Sequence, residues 1–188
     1  MIIRRAVPSD SADIARVHID SWKTAYKGII ADDYLDSLSY EERDRWWFEN
    51  LSSSGRLVFV AEDSTPESVE KKIIGFCAGG RNHSSMDSDF ASVLGSIYIL
   101  QRHRGRGIGK ALVHSLAVSL VEGGFSSMIV WVLSKNPYRR FYESLGGKYV
   151  RSSEIQIGGS TFEDVAYGWT DMKVLKVMTK IVKARRMN

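Results

Sequence analysis

One cysteine, Cys77, stands in 188 residues. No disulfide can form within the chain, and a reducing compartment is the expected setting. The four histidines show no spacing to one another or to Cys77 that suggests zinc, so no metal is expected. Apolar runs are short, and none approaches the roughly 18 residues that a membrane-crossing helix needs. Met1-Ile2-Ile3-Arg4-Arg5 leads directly into folded-looking pattern, without the apolar core of an export signal. The expectation is therefore a cytoplasmic protein with no membrane partner. Internal repeats and an interdomain linker are also lacking. Disorder is excluded by a composition of 44% hydrophobic and 26% charged residues, and the length suits one domain with its own core. A net charge of +4 fits an anionic ligand only weakly, because Lys173, Lys176, Lys180, Lys183, Arg185 and Arg186 crowd the C-terminal end.

Two common phosphate motifs are missing as well. A P-loop requires a glycine where Arg104 stands and a hydroxyl where Ala111 follows Lys110, so magnesium would find no ligand. The dinucleotide fingerprint needs glycines at the first, third and sixth positions of an early strand-helix unit. Here Gly105, Gly107 and Gly109 fall at the first, third and fifth, past the midpoint of the chain. What the stretch Arg104-Gly105-Arg106-Gly107-Ile108-Gly109-Lys110 does offer is a socket for phosphate. Its glycines remove the Cβ atoms that would hold a group off the backbone, and the helix that follows leaves its first N–H groups without internal partners. The helix dipole and the charges of Arg104, Arg106 and Lys110 add to the attraction.

Around this socket the pattern alternates strands with helices. A strand is predicted over Ile2 to Ala6 and a helix over about residues 11 to 26, where Ile14, Val17, His18, Ser21, Trp22 and Ala25 recur at helical spacing. Ser39 and Glu42 form a capping box for a second helix carrying Trp46, Trp47 and Leu51. Strands follow at Leu57 to Glu62 and Ile73 to Gly80, separated by a polar turn at Asp63 to Lys72. Arg81 to Asp89 reads as a mobile polar loop. Val93 to Leu100 is the strand that delivers the socket, and its helix ends at Gly123-Gly124. Met128 to Leu133 is apolar throughout, as in a strand buried on both faces. Asn136-Pro137 opens a short helix ended by Gly146-Gly147. Tyr149 to Ile157 and Phe162 to Trp169 form a closing hairpin around Gly158-Gly159-Ser160. Residues 171–188 read as a basic amphipathic tail, expected to pack on the domain or on a partner subunit, which allows a homodimer.

Arg-x-x-Gly-x-Gly between a strand and a helix resembles the acyl-CoA pyrophosphate loop of the GNAT superfamily of N-acetyltransferases. The segment Asn136-Pro137-Tyr138-Arg139-Arg140-Phe141-Tyr142-Glu143-Ser144-Leu145-Gly146 resembles the family's Asn-x-x-Ala-x-x-Phe-Tyr-x-x-x-Gly motif, with arginine at the alanine position. Ser21 to Gly28 is similar to one branch of uncharacterised bacterial members. The resemblance covers about residues 1–170, taken as a single GNAT domain. It implies an α/β (α+β) fold with a mixed, mostly antiparallel central sheet flanked by helices. It also implies acetyl-CoA as co-substrate and a primary amine of a small molecule or peptide as acceptor, attacked directly in a ternary complex.

On that resemblance, the backbone of Arg104, Gly105, Arg106, Gly107, Ile108, Gly109 and Lys110 holds the pyrophosphate, while Ile97, Tyr98 and Ile99 pair with the pantetheine arm. A free N–H near Ile99 or Leu100 would polarise the thioester carbonyl. Tyr142 is the candidate general acid for the departing thiolate, the alternative being simple packing beside Phe141. Asn136 either bonds the pantetheine arm or caps the short helix. The base is not legible, because Ala91 to Tyr98 holds no carboxylate; a water chain ending on backbone carbonyls is the expected account, with Glu62 and Glu163 as substitutes acting through water. His18, Trp22 and Tyr26 are candidates for the acceptor pocket. Cys77 lacks a histidine partner and is set aside as a nucleophile. A CoA-binding sensor without catalysis is the competing reading, and nucleic-acid binding is disfavoured because aromatics do not interleave with the arginines.

Overall fold

The computed structural model describes residues 1–53, 55–63 and 72–175. One seven-stranded sheet organises the chain. Its strands are β1 (Ile2–Arg5), β2 (Arg56–Asp63), β3 (Lys72–Arg81), β4 (Ser92–Ile99), β5 (Met128–Leu133), β6 (Lys148–Ile157) and β7 (Ser160–Trp169). In space they run β1-β2-β3-β4-β5-β7-β6, so the closing hairpin inserts its second strand beside β5. Every pair is antiparallel except β4 with β5.

Helices α1 (Ser11–Ala25), α2 (Asp32–Asp36) and α3 (Tyr40–Ser52) follow β1, α4 (Ile108–Glu122) joins β4 to β5, and α5 (Arg140–Ser144) joins β5 to β6. The α1 stripe of Ile14, Val17 and Ala15 buries against Val58, Val60, Phe76 and Trp47. On the opposite face, Leu112, Val113, Leu116 and Leu120 of α4 pack on Met128, Val130, Val132, Val165 and Tyr167. The other face of β5 is covered by Phe90 about Ile129 and by Tyr26 and Leu35 about Leu133, which explains its unbroken apolar sequence. Ser39 caps α3 by accepting the N–H of Glu42 at 3.2 Å, and α4 ends at Gly123-Gly124 as the sequence implies.

Three segments depart from expectation. The short helix α2 was not legible, its Asp32-Asp33-Tyr34-Leu35-Asp36 being too brief to show a period. The second short helix starts at Arg140 rather than at Asn136, because the Asn136 Oδ1 accepts the Tyr138 N–H at 2.8 Å and holds a turn there. Residues 81–89 are tied down rather than loose. Asn82 Nδ2 donates to the carbonyls of Asp87 and Phe90, both at 2.9 Å, and the buried Asp87 carboxylate accepts from Trp131 Nε1 and Arg151. The turn read at 63–72 lies outside the described residues over 64–71, as does the tail beyond Leu175. The start of that tail packs on its own chain, with Met172 and Leu175 buried in the α4 core.

Candidate active site

Among the described residues, the one parallel junction of the sheet is also where it opens. Strands β4 and β5 share two register pairs, Ser92 with Met128 and Val93 with Ile129, and none beyond. A bulge at Gly95 follows at once, since Ala78 faces Ser96 whereas Gly79 faces Leu94. From there β4 stays with β3 alone. The Leu100 N–H donates to Ile74 O at 3.0 Å, which fixes the alternation: Tyr98 points its backbone groups at β3, and Ile97 and Ile99 point theirs at the open edge. Of the two candidate N–H groups, that of Ile99 is therefore the free one, and that of Leu100 is already bonded.

A cavity of about 500 Å³ occupies the opening. Ile97, Tyr98 and Ile99 form one wall, Gly105, Gly107, Ile108, Gly109 and Lys110 the end above α4, and Asn136, Tyr138, Phe141 and Tyr142 the other wall. Gly107 precedes α4 with φ 81°, and no side chain caps the helix. Among the described residues, the N–H groups of residues 105–110 donate to no protein acceptor. The Arg104 N–H differs, donating to Gln101 O at 3.2 Å, so the socket begins one residue later than expected. An added Cβ at Gly107 would meet nothing within 4 Å, whereas one at Gly109 would approach Phe141 Cζ to 3.0 Å. The first glycine keeps the mouth open, and the second lets α5 close on α4.

Side chains around the loop divide their work. Arg106 is exposed and lies outside the cavity wall. Arg104 folds back from the socket: its Nε donates to Ile99 O at 3.0 Å, its guanidinium stacks 4.4 Å from the Tyr138 ring, and its buried Nη1 has no partner. It therefore straps the end of β4 to the Tyr138 wall and does not extend along the free amides of residues 105–110. His103 also lines the cavity. Burial, then the charges of Arg102 and Arg106, pull its pKa below the ordinary histidine value.

Tyr142 lines the cavity, is 9% exposed, and stacks on Tyr167 with centroids 6.1 Å apart. Burial, then the fields of Tyr26 and Asp164, push its phenol pKa upward. It stays protonated at neutral pH, as a proton donor must.

The aromatic residues of α1 reach this region through hydroxyls. Trp22 Nε1 donates to Tyr98 Oη at 2.8 Å, Asn136 Nδ2 donates to Tyr26 Oη at 3.1 Å, and the Tyr26 and Tyr98 hydroxyls interact. Asn136 thus serves both as a turn cap and as a cavity wall. His18 is sealed away from the opening. It stacks on Tyr98 at 4.8 Å, its Nδ1 accepts from Trp47 Nε1 at 3.3 Å, and burial followed by the Arg43 charge lowers its pKa to about 3. It is a neutral packing residue and a poor base.

Neither expected carboxylate enters the cavity. Glu62 is buried against Arg4, with 2.7 Å between Oε1 and Nε, on β2, which β3 separates from β4. Glu163 is exposed on β7. Cys77 is buried, burial pushes its thiol pKa up, and its Sγ lies 3.4 Å from Leu112 O. It remains a core residue. One strongly perturbed carboxyl was missed: Asp164, next to Glu163, has its pKa raised to about 6 by burial, against the lowering effect of the Val165 N–H, and its field reaches Tyr26 and Tyr142. Its signal in the sequence was an acid on the same strand parity as Phe162 and Ala166.

Known proteins share both the sequence and the fold of this chain. The uncharacterised N-acetyltransferase YuaI of Bacillus subtilis (strain 168) is 37% identical over 177 residues, 94% of this chain and 96% of that one. The chain belongs to the GNAT family of N-acetyltransferases. The family model for FR47-like protein matches residues 80–155 of this GNAT chain, which carry the splay and the socket. Among solved structures, PaiA N-acetyltransferase from Thermoplasma acidophilum in complex with coenzyme A superposes with TM-score 0.62 at 20% identity, over 89% of this chain and 98% of that one. YncA from Salmonella typhimurium, with its cofactor acetyl-CoA, gives TM-score 0.66 at 21% identity, over 91% and 94%. Among the described residues no helix is long and apolar enough to cross a membrane.

Proposed function

We propose that this protein moves an acetyl group from acetyl-CoA to a primary amine of a small molecule or peptide, by direct attack of the amine while both are bound. The observation that carries the reading is the run of free amides at residues 105–110, at the mouth of a cavity whose other wall is the unpaired edge of β4. These amides and the dipole of α4 suit the diphosphate of CoA, and Lys110 and Arg106 add charge at the rim. The Ile97 and Ile99 edge suits the amide-bearing pantetheine arm as an added strand. The Ile99 N–H is then the donor for the oxyanion, and Tyr142 protonates the thiolate. Holding amine and thioester in line supplies much of the rate.

The domain extends over residues 1–170 and takes the start of the basic stretch beyond it, Met172 and Leu175, onto its core, and the setting is cytoplasmic with no nucleic acid or membrane partner. Because β4 lacks a carboxylate, a CoA sensor without catalysis is the second reading. One experiment separates them. Acetyl-CoA is expected to raise the melting temperature, and CoA is expected to be released when an amine is added. No thermal shift at millimolar acetyl-CoA would sink both readings; a shift without CoA release from any amine tried would leave the sensor.

A further inference from the structure

We infer that Asp164 is the terminal proton acceptor of the transfer, fed through the hydroxyl of Tyr26; the inference rests on the transferase reading above and supplies its missing base.

The placement comes from the end of β5. Asp164 on β7 is the register partner of Leu133, the last residue of that strand. Leu133 packs in one cluster with Tyr26 and Phe162, and its carbonyl accepts the N–H of Asn136 at 2.8 Å. Asp164 is 9% exposed, and its Oδ1 is buried without a hydrogen-bond partner. A buried carboxylate oxygen left unpaired costs stability, so its retention asks for a role.

Donor and acceptor accounting then gives the wire a direction. Tyr98 Oη receives the Trp22 Nε1–H, and Tyr26 Oη receives an Asn136 Nδ2–H. The Tyr98 hydroxyl also donates to Tyr26 Oη, so the Tyr26 proton is left to point away from both partners, and the charged group whose field reaches that phenol is Asp164. Other groups around the carboxyl do not compete. Tyr142 of α5 feels its field but is a neutral phenol. The β6 register partner is Ser153. Arg151, further along that face, binds Asp87. Glu163 projects to the opposite, exposed face.

The chemistry balances. The acceptor ammonium gives one proton to Tyr26 Oη as the Tyr26 proton passes, through one bridging water, to the Asp164 carboxylate. The freed nitrogen pair attacks the thioester carbon, and the carbonyl π pair moves to oxygen. On collapse the carbonyl re-forms, the C–S bond breaks, and the sulfur takes its proton from Tyr142. The second proton of the nitrogen restores Tyr142, and Asp164 returns its own to solvent. Once protonated, Asp164 no longer raises the Tyr142 pKa, so the first proton transfer eases the second.

The test uses the full chain with acetyl-CoA and a panel of n-butylamine, spermidine, tyramine, L-lysine and a peptide with a free α-amino group. With the fastest of these, Asp164→Asn is expected to lower kcat/KM by about 10²- to 10⁴-fold, the range of general base loss. It is expected to keep the thermal shift given by acetyl-CoA. Wild-type kcat/KM is expected to rise through a limb near pH 6, where Asp164 ionises; the Asn variant lacks that limb and Asp164→Glu restores it in part. Tyr26→Phe lowers kcat/KM in the same direction. Because the Asn variant removes a buried charge, its melting temperature at pH 8 is expected to match or exceed that of the wild type. An active wild type whose Asn variant keeps both its rate and the limb overturns the inference alone. An Asn variant that loses stability and acetyl-CoA binding together makes Asp164 structural and overturns it as well. A wild type that releases no CoA with any of the five amines overturns the transferase reading, and this inference with it.

Discussion

Replacing Gly107 by alanine, with Gly124→Ala as its control, separates backbone strain from ligand approach. Both glycines have φ in the left-handed region, 81° and 87°, and at both an added Cβ meets nothing within 4 Å. They sit at opposite ends of α4. A Cβ in that conformation costs about 1–2 kcal/mol. For a chain of this size each kcal/mol lowers Tm by roughly 2–4 °C, so both variants are expected to melt about 2–8 °C below the wild type. Their binding is expected to diverge. At Gly107 the methyl stands in the open mouth, beside amides meant for a phosphate. Losing one charge-assisted N–H···O contact there costs about 1.5–3 kcal/mol, or about 10- to 150-fold in the Kd for acetyl-CoA. Gly124→Ala should leave that Kd within about twofold of the wild type, because its site lies a whole helix away. Calorimetric titration of acetyl-CoA into the three proteins, beside their melting curves, reads both quantities. Equal Kd values for Gly107→Ala and Gly124→Ala at equal Tm would refute the reasoning, since strain alone would then account for everything the first substitution does.

Tyr142→Phe is expected to lower kcat by about 10²-fold or more while the Kd for acetyl-CoA holds; unchanged kcat in single-turnover CoA release would remove its role as acid. Arg104→Ala removes the donor to Ile99 O, and the loss is expected chiefly as stability, about 1.5–3 kcal/mol by urea unfolding; a loss of acetyl-CoA binding with stability intact would place Arg104 among the phosphate contacts instead. The acid limb of stability should include Asp10. Burial alone would raise its pKa, but the Arg4 hydrogen bonds and the Val7 N–H outweigh burial and hold the carboxyl below its ordinary value. Its contribution is thus full above about pH 4, the unfolded-state value, and is lost as pH falls through the lower folded-state value. Asp10→Asn should flatten that part of the stability profile, and an unchanged profile between pH 4 and 2 would contradict the assignment.

The parts of the fold that follow from local chemistry were readable in the chain. Three glycines before an apolar helical period marked α4 and its mouth, and an unbroken apolar run marked β5. The Phe141-Tyr142 motif placed the second wall. What escaped was tertiary. The backward strap of Arg104 depends on where Ile99 and Tyr138 lie, and no spacing shows that. Asp164 gains its character from burial opposite Leu133, which only the folded sheet provides, and the exposed Glu163 beside it was the carboxylate the sequence pointed to. His18 fell on the apolar stripe of α1 and read as a pocket residue. The stack on Tyr98 and the Trp47 bond, 29 positions away, show it to be core.

The central claim is best tested by titrating 15N-labelled protein with CoA and following its backbone amides. The account predicts that the largest shifts fall on Gly105 to Lys110 and on Ile97 and Ile99, with the β1 and β6 amides unmoved. Shifts that leave residues 105–110 in place while CoA binds elsewhere would contradict it.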